Sequence, residues 1–342
     1  MCLFNNAKDV FRQRLPVLFV FCTLLLQCVT GEPCDINEYY QSVDTNTGNG
    51  LGLKAKLHNL IKGHTVIPYT LTDEAFGIID QNPTNPAQII GIYSQVGLTN
   101  FPDDWNREHV FPRSRGVGDE GPDYSDMHNL FPCDASLNSA RSNKLFDECS
   151  PSDNCKFPAT GGSSVAASGS GSSPDFWQIP TVVRGDVARA IFYMATRYSD
   201  DTEPNTVELK IEECISSCGS NTFGRLSTLL KWNEDDPPDA KEIARNNAIC
   251  SDYQGNRNPF VDYPDLVNRV FGDGSTEDPP EEDPNSLDEQ TIFIIAGTAT
   301  SIIVISAIMV LSIARGTRLR NCFKRKPSAN VDVKLTQHYL IA

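Results

Sequence analysis

Residues Trp105 to Phe146, WNREHVFPRSRGVGDEGPDYSDMHNLFPCDASLNSARSNKLF, gather imidazole, carboxylate, amide and guanidinium groups more densely than any other part of the chain. His109 and His128, two of the five histidines, lie there with Glu108, Asp126, Asn138, Asn143 and the arginines Arg107, Arg113, Arg115 and Arg141. Together these groups suit metal-assisted hydrolysis, which needs a base to deprotonate water, a cation to offset developing charge and help for the departing oxygen. The same residue types also build ordinary turns and hydrogen-bonded buried histidines, so the stretch by itself leaves both readings open.

Spacing constrains how these groups could meet. Glu108 and His109 are adjacent, and on a strand their side chains would face opposite ways. Both serve one site only if the backbone bends there or the strand ends. The run Asp134-Ala-Ser-Leu-Asn138-Ser-Ala-Arg141 opens like a short helix capped by Asp134 or Ser136, and Asn138 and Arg141, three apart, share a face. A strand offering Glu and His followed by a helix offering Asn is one way to hold a hard, oxygen-liganded ion.

The elements that must position this stretch are readable in outline. LKAKLHNLIKGH, with Leu53, Leu57, Leu60 and Ile61 at helical spacing, predicts an amphipathic helix within 38–64, on or beside which His58 and His64 are structural. Ile89 to Gly97 has the composition of a strand. RGDVARAIFYMATRY predicts a helix with Asp186 as its cap, which sets aside an adhesive role for the Arg-Gly-Asp tripeptide. Thr222 to Asn247 reads as two helices separated at WNEDDPPD, with Pro237-Pro238 at a turn and first helical position. The polar QGNRN is a loop that packs against something. By contrast, the Gly/Ser-rich segment of about 150–174 has the composition of a flexible surface loop.

The two ends differ from the middle. Lys8, Arg12 and Arg14, an apolar run from Leu15 to Val29 and small residues up to Gly31 make 1–31 a secretory signal. Residues 292–313 carry no charge and are long enough to cross about 30 Å of hydrocarbon as a helix. They follow an acidic stalk, 273–291, and precede a basic tail, 314–342. The charge asymmetry predicts a single-pass type I membrane protein whose 32–272 domain lies outside the cytosol. In that oxidising space most of the central cysteines, Cys34, Cys133, Cys149, Cys155, Cys214, Cys218 and Cys250, should be paired, and their odd number leaves at least one over. The formal net charge of −15 excludes a protein that coats polyanions through a general positive field, so any such contact must be local.

Five ordered blocks, WNREHVFPRS, SDMHNLFPCDASLNSARSNKLF, RGDVARAIFYMATRY, KWNEDDPPDAKEIARNNAI and QGNRNPFVDYPDLV, together resemble the endonuclease I family. These are secreted or periplasmic nucleases of the ββα-metal (His-Me finger) superfamily, and the resemblance runs over roughly Cys34 to Phe271. It implies an α+β fold, a ββα-metal core embedded in a mainly helical mixed domain, to which this sequence would add a C-terminal transmembrane helix. It also implies His109 as general base, Glu108 and Asn138 as ligands of one Mg²⁺ (or Ca²⁺ or Mn²⁺), and His128 and Asn143 as supports, with Arg141 beside them. A phosphate-binding arginine is expected between the two halves of the motif, where Arg115 is favoured over Arg113. DNA, and RNA in addition, would be cut to 5′-phosphate ends in a local basic groove to which Arg107, Arg113 and Lys144 contribute. The competing expectation is a catalytically silent surface protein that keeps the fold and binds nucleic acid or another ligand. Intact Glu108, His109 and Asn138 weigh against it, and no HExxH pattern supports a zinc hydrolase.

Overall fold

The computed structural model describes residues 34–272, except Thr47, Asp201 and residues 215–217. The expected signal, acidic stalk, 292–313 membrane span and basic tail all lie outside the described residues. Within 34–272 the chain forms a mixed α/β domain in which small two- and three-stranded sheets are set among helices.

Helix α1 (Gly50–Ile61) buries Leu53, Leu57 and Ile61 as its periodicity predicts. α2 (Thr72–Ile79) follows, burying Ala75, Phe76 and Ile79. The expected strand over 89–97 is instead a tight hairpin, Ile89–Ile90 paired with Gly97–Leu98. The chain reverses through Tyr93-Ser94-Gln95, with Gln95 at a φ of 55°, and this turn brings the fully buried Tyr93 under the next strand pair. β1 (Trp105–His109) and β2 (Leu130–Asp134) are antiparallel, with Trp105 opposite Asp134, Glu108 opposite Phe131 and His109 opposite Leu130. α3 (Ala135–Arg141) starts directly from β2. Asp134 caps it by accepting from the backbone N–H groups of Ser136 (2.9 Å) and Leu137 (3.0 Å), which satisfies donors that a helix start otherwise leaves open.

The centre of the domain is α4 (Arg184–Arg197), against which α1 and α5 (Leu226–Asp235) pack. Its interior is largely apolar, and its two arginines, Arg189 and Arg197, are buried and ion-paired to Glu242 (2.5 Å) and Glu203 (2.8 Å). Asp186 lies in the first turn and makes no capping bond, because the preceding 3₁₀ turn runs straight into the helix and leaves Val183 at the cap position. Gly185 is held against the backbone: a Cβ there would come within 1.9 Å of the Asp236 carbonyl oxygen, so the Arg-Gly-Asp tripeptide is a packing device. α6 (Ala240–Ala248) begins after Pro237-Pro238, with Asp239 as its cap, so both prolines precede the helix.

At fourteen residues α4 is the longest described helix, about 21 Å at the usual rise per residue and short of a bilayer's hydrocarbon core. Among the described residues no helix is long and apolar enough to cross a membrane.

The Gly/Ser-rich segment is built into the fold. Thr160–Gly161 pairs with Ser164–Val165, and Gly171–Ser172 with Phe176–Gln178. The small residues serve contact here: a Cβ on Gly161 would lie 2.1 Å from the Ser136 carbonyl oxygen in α3, and the buried Ser173 hydroxyl accepts from the Phe176 backbone N–H at 2.9 Å. Three disulfides, Cys34–Cys250, Cys149–Cys155 and Cys214–Cys218, use six of the central cysteines. Cys133, on β2, is a buried free thiol.

The polar QGNRN loop packs into the interior around Asp126. That carboxylate accepts from the hydroxyls of Tyr193 and Tyr198 (both 2.9 Å), the Gln254 amide (3.0 Å) and the His128 backbone N–H (3.0 Å), a full set of partners for a buried charge. His58 and His64 are buried as expected, the first against the Thr196 carbonyl and Asp200, the second against Arg197.

Candidate active site

The β1–β2–α3 unit forms one wall of an open cleft of about 640 Å³ that Glu108, His109, Asn138, Arg141 and Asn143 all line. Glu108 and His109 escape the alternation of a strand because His109 is the last residue of β1, where the backbone leaves the ladder.

His109 is held by its Nε2, 2.9 Å from the Tyr124 carbonyl oxygen, while its ring stacks with those of Tyr124 and Tyr69. A carbonyl only accepts, so Nε2 carries the hydrogen and Nδ1 is left with its lone pair. Burial lowers the pKa of His109 to about 4, outweighing the carbonyl contact, and the nearby arginines push the same way. The imidazole is therefore neutral, and a proton acceptor, at ordinary pH.

Glu108 is buried, with Oε1 accepting from the Tyr93 hydroxyl at 2.6 Å and paired with Arg141 at 2.8 Å. Burial pushes its carboxyl above the ordinary range although Arg141 and Tyr93 both oppose this. A divalent cation would favour the ionised form. Arg141 also donates to the His109 (3.1 Å) and Val110 (2.7 Å) carbonyls and lies against the Phe146 ring. It thereby clamps the end of β1 to α3 and supports Glu108. Asn138 donates its amide hydrogens to the Asn106 side chain (2.7 Å) and the Arg107 carbonyl (3.1 Å). Among the described residues its Oδ1 has no hydrogen-bond partner, which leaves that oxygen open to a ligand. No group of three or more His, Cys, Asp or Glu among the described residues is arranged to hold a metal. The donor set that fits a hard divalent ion is one carboxylate and one amide oxygen, with substrate and water oxygens completing the shell, the usual arrangement for Mg²⁺.

The expected outer residues are distributed unevenly. Asn143 lines the cleft and donates to the Ser114 hydroxyl at 3.0 Å. His128 sits outside this lining, buried against the Asn256 carbonyl at 3.2 Å. Arg107 and Arg113 line the cleft, yet Arg107 is paired with Asp73 at 2.7 Å and wedged against Tyr69 and Phe101, and Arg113 is paired with Asp119. Arg115 is not among the lining residues, and its Nε is buried without a partner. Lys144 points into a neighbouring cleft. Sequence reasoning missed Tyr69, Tyr93 and the Tyr124 carbonyl. The first two stand well outside the motif, and a backbone carbonyl leaves no compositional mark.

A buried neutral imidazole, a carboxylate and an amide oxygen thus line one cleft together with Arg107, Arg113 and Arg141. The model of the family described as Endonuclease I matches residues 49–265. The chain is 37% identical over 245 residues to an "Extracellular ribonuclease" of Bacillus amyloliquefaciens, a match covering 69% of this chain and 79% of that protein. It is 36% identical over the same length and shares to the "Extracellular ribonuclease" of Bacillus subtilis (strain 168). The chain belongs to the endonuclease I family of nucleases. These relatives correct the single-pass type I membrane placement expected above: both are named as extracellular, and no described helix can cross a membrane, the 292–313 run itself lying outside the described residues.

Proposed function

We propose that this chain is a secreted, divalent-metal-dependent endonuclease that hydrolyses RNA and DNA with little sequence preference, leaving 5′-phosphate ends. The observation that carries the reading is the Nε2 contact of His109 with the Tyr124 carbonyl, which aims an Nδ1 lone pair into the cleft beside Glu108 and Asn138. His109 takes a proton from the attacking water at Nδ1, with no reorientation needed because the carbonyl fixes the ring. Glu108 and Asn138 would hold the cation, whose chemistry is to offset charge on the phosphate and the departing 3′ oxygen. Arg141 and Tyr93 keep the Glu108 carboxylate oriented toward that position, in the way outer partners tune metal ligands generally. Arg113, the most exposed of the three lining arginines with its side chain 47% accessible, can exchange Asp119 for a substrate phosphate.

The test is nicking of plasmid DNA and cleavage of total RNA with Mg²⁺, with EDTA and with His109→Ala. Cutting that needs the metal and His109 supports the reading. Cutting by the alanine variant removes His109 from its role. No cutting by the wild type, with nucleic acid still bound, returns the protein to the silent binding module.

A further inference from the structure

Of the cations expected to form the basic groove, Arg107 is paired with Asp73 and Arg113 with Asp119, and the supporting Arg141 is paired with Glu108. A nuclease with a formal net charge of −15 then needs positive charge elsewhere to hold the phosphates flanking the one being cut. A second cleft, of about 430 Å³, opens on the other side of the segment 140–144. Arg141, Ser142 and Asn143 line the active-site cleft, while Ala140 and Lys144 line this one. Consecutive Cα atoms are about 3.8 Å apart, so the two openings adjoin along the chain.

The second cleft is furnished for a phosphate backbone. Lys144 Nζ lies 2.9 Å from the Ser172 hydroxyl, and Ser172 is paired through its backbone with Lys156 in both directions, at 2.9 and 3.0 Å. Lys144 thus reaches Ser172 with its ammonium and Lys156 is held beside that serine through the backbone, so both lysines line this cleft together with Asn154 and Thr160. Neither lysine has a carboxylate within ion-pair distance among the described residues; the exposed Asp175 acts on Lys144 only from further away. The platform is braced by the Cys149–Cys155 disulfide and by the strand pair containing Gly171–Ser172. At Gly171 a Cβ would come within 2.7 Å of the Phe157 ring, which accounts for the small residue in this strand. The Gly/Ser-rich segment therefore carries a shaped, positively charged surface next to the catalytic cleft.

We propose that this Lys144–Lys156 cleft is a phosphate-docking subsite that holds the polynucleotide strand beyond the scissile bond. The proposal rests on the nuclease reading above, and it assigns to the segment 150–174 the task of gripping substrate.

The test measures binding of a fluorescein-labelled single-stranded 16-mer to the wild type, Lys144→Ala/Lys156→Ala and Lys144→Arg/Lys156→Arg in EDTA, from 50 to 200 mM salt, with melting curves confirming that each variant is folded. Removing two single-strand phosphate contacts should lower the slope of log K against log salt by about 1.4, so the wild type's loss of affinity over this fourfold salt range should exceed the alanine variant's by roughly sevenfold. The arginine pair should restore the wild-type slope. An alanine pair with wild-type affinity and slope overturns the subsite. Mg²⁺-dependent cleavage by the wild type, assayed in parallel, tests the nuclease reading separately: its failure sinks that reading whatever the lysines do.

Discussion

His109 has two faces with separate jobs, one nitrogen held by a carbonyl and the other left to work. Its depressed pKa of about 4 means the acceptor form persists well below neutrality. The acid limb of kcat/KM should therefore fall as pH drops toward about 4, and a pH–rate profile with its acid limb centred near the ordinary histidine value of about 6.5 would contradict the buried setting. His109→Ala should lower kcat by about 10²- to 10⁴-fold, the usual range for losing a general base, read in single-turnover cleavage of a defined oligonucleotide. Tyr93 offers a subtler check. It touches Glu108 at 2.6 Å and does not line the cleft, so Tyr93→Phe should weaken the apparent affinity for the metal by about 10- to 100-fold. A Mg²⁺ titration of activity should show the shift, with kcat at saturating metal much less affected.

The hairpin and α3 act as one element. Asp134 ends β2, caps α3 through two backbone donors and accepts from the Ser164 hydroxyl at 2.8 Å, so one side chain ties the metal-site helix both to its strand and to the Gly/Ser-rich segment. Asp134→Ala should cost about 1 kcal/mol for the cap and as much again for the serine contact, measured by urea unfolding. Activity should fall further than stability does, because Asn138 sits on the helix whose start is released. Much of this element was legible. The shared face of Asn138 and Arg141 follows from spacing, whereas spacing left the cap between Asp134 and Ser136 and left Glu108-His109 at either a bend or a strand end, and the structure takes Asp134 and the strand end. The two hairpin partners were harder to see. Ile89 to Gly97 reads as one strand because its apolar content is continuous, and only the left-handed Gln95 shows where it turns. The segment 150–174 reads as flexible because composition averages over residues, whereas Gly161 and Gly171 are each small for a particular neighbour. Ion pairing was illegible for a similar reason: Asp73 and Asp119 neutralise Arg107 and Arg113 from positions that carry no motif.

Across the whole molecule, buried titratable groups set how stability follows pH. Asp123 is shut off from solvent, and burial raises its pKa to about 8, outweighing the opposing backbone N–H groups of Asp123 and Tyr124. Between the unfolded value near 4 and this one, the native state keeps a proton that the unfolded chain has lost. Its contribution to stability is present at low pH and is lost as pH rises toward about 8. His109 and His128, both lowered to about 4, work in the opposite sense: their contribution is present above about 6.5 and is lost as pH falls toward 4. Asp123→Asn should therefore gain stability relative to the wild type as pH is raised from 5 to 8, in urea melts at fixed temperature. A constant difference across that range would mean that Asp123 is ionised in the native protein.

Cys133 lies between these scales. It sits on β2 opposite Asn106, the residue that anchors Asn138, and burial raises its thiol well above the usual range, with Glu108 adding to the effect. With the other six central cysteines in disulfides, this sulfur is a silent reporter inside the hairpin that carries the proposed site. A thiol-reactive dye can mark it only when the two strands part, so the labelling rate of the native protein should measure how often the proposed base and the helix carrying Asn138 come undone.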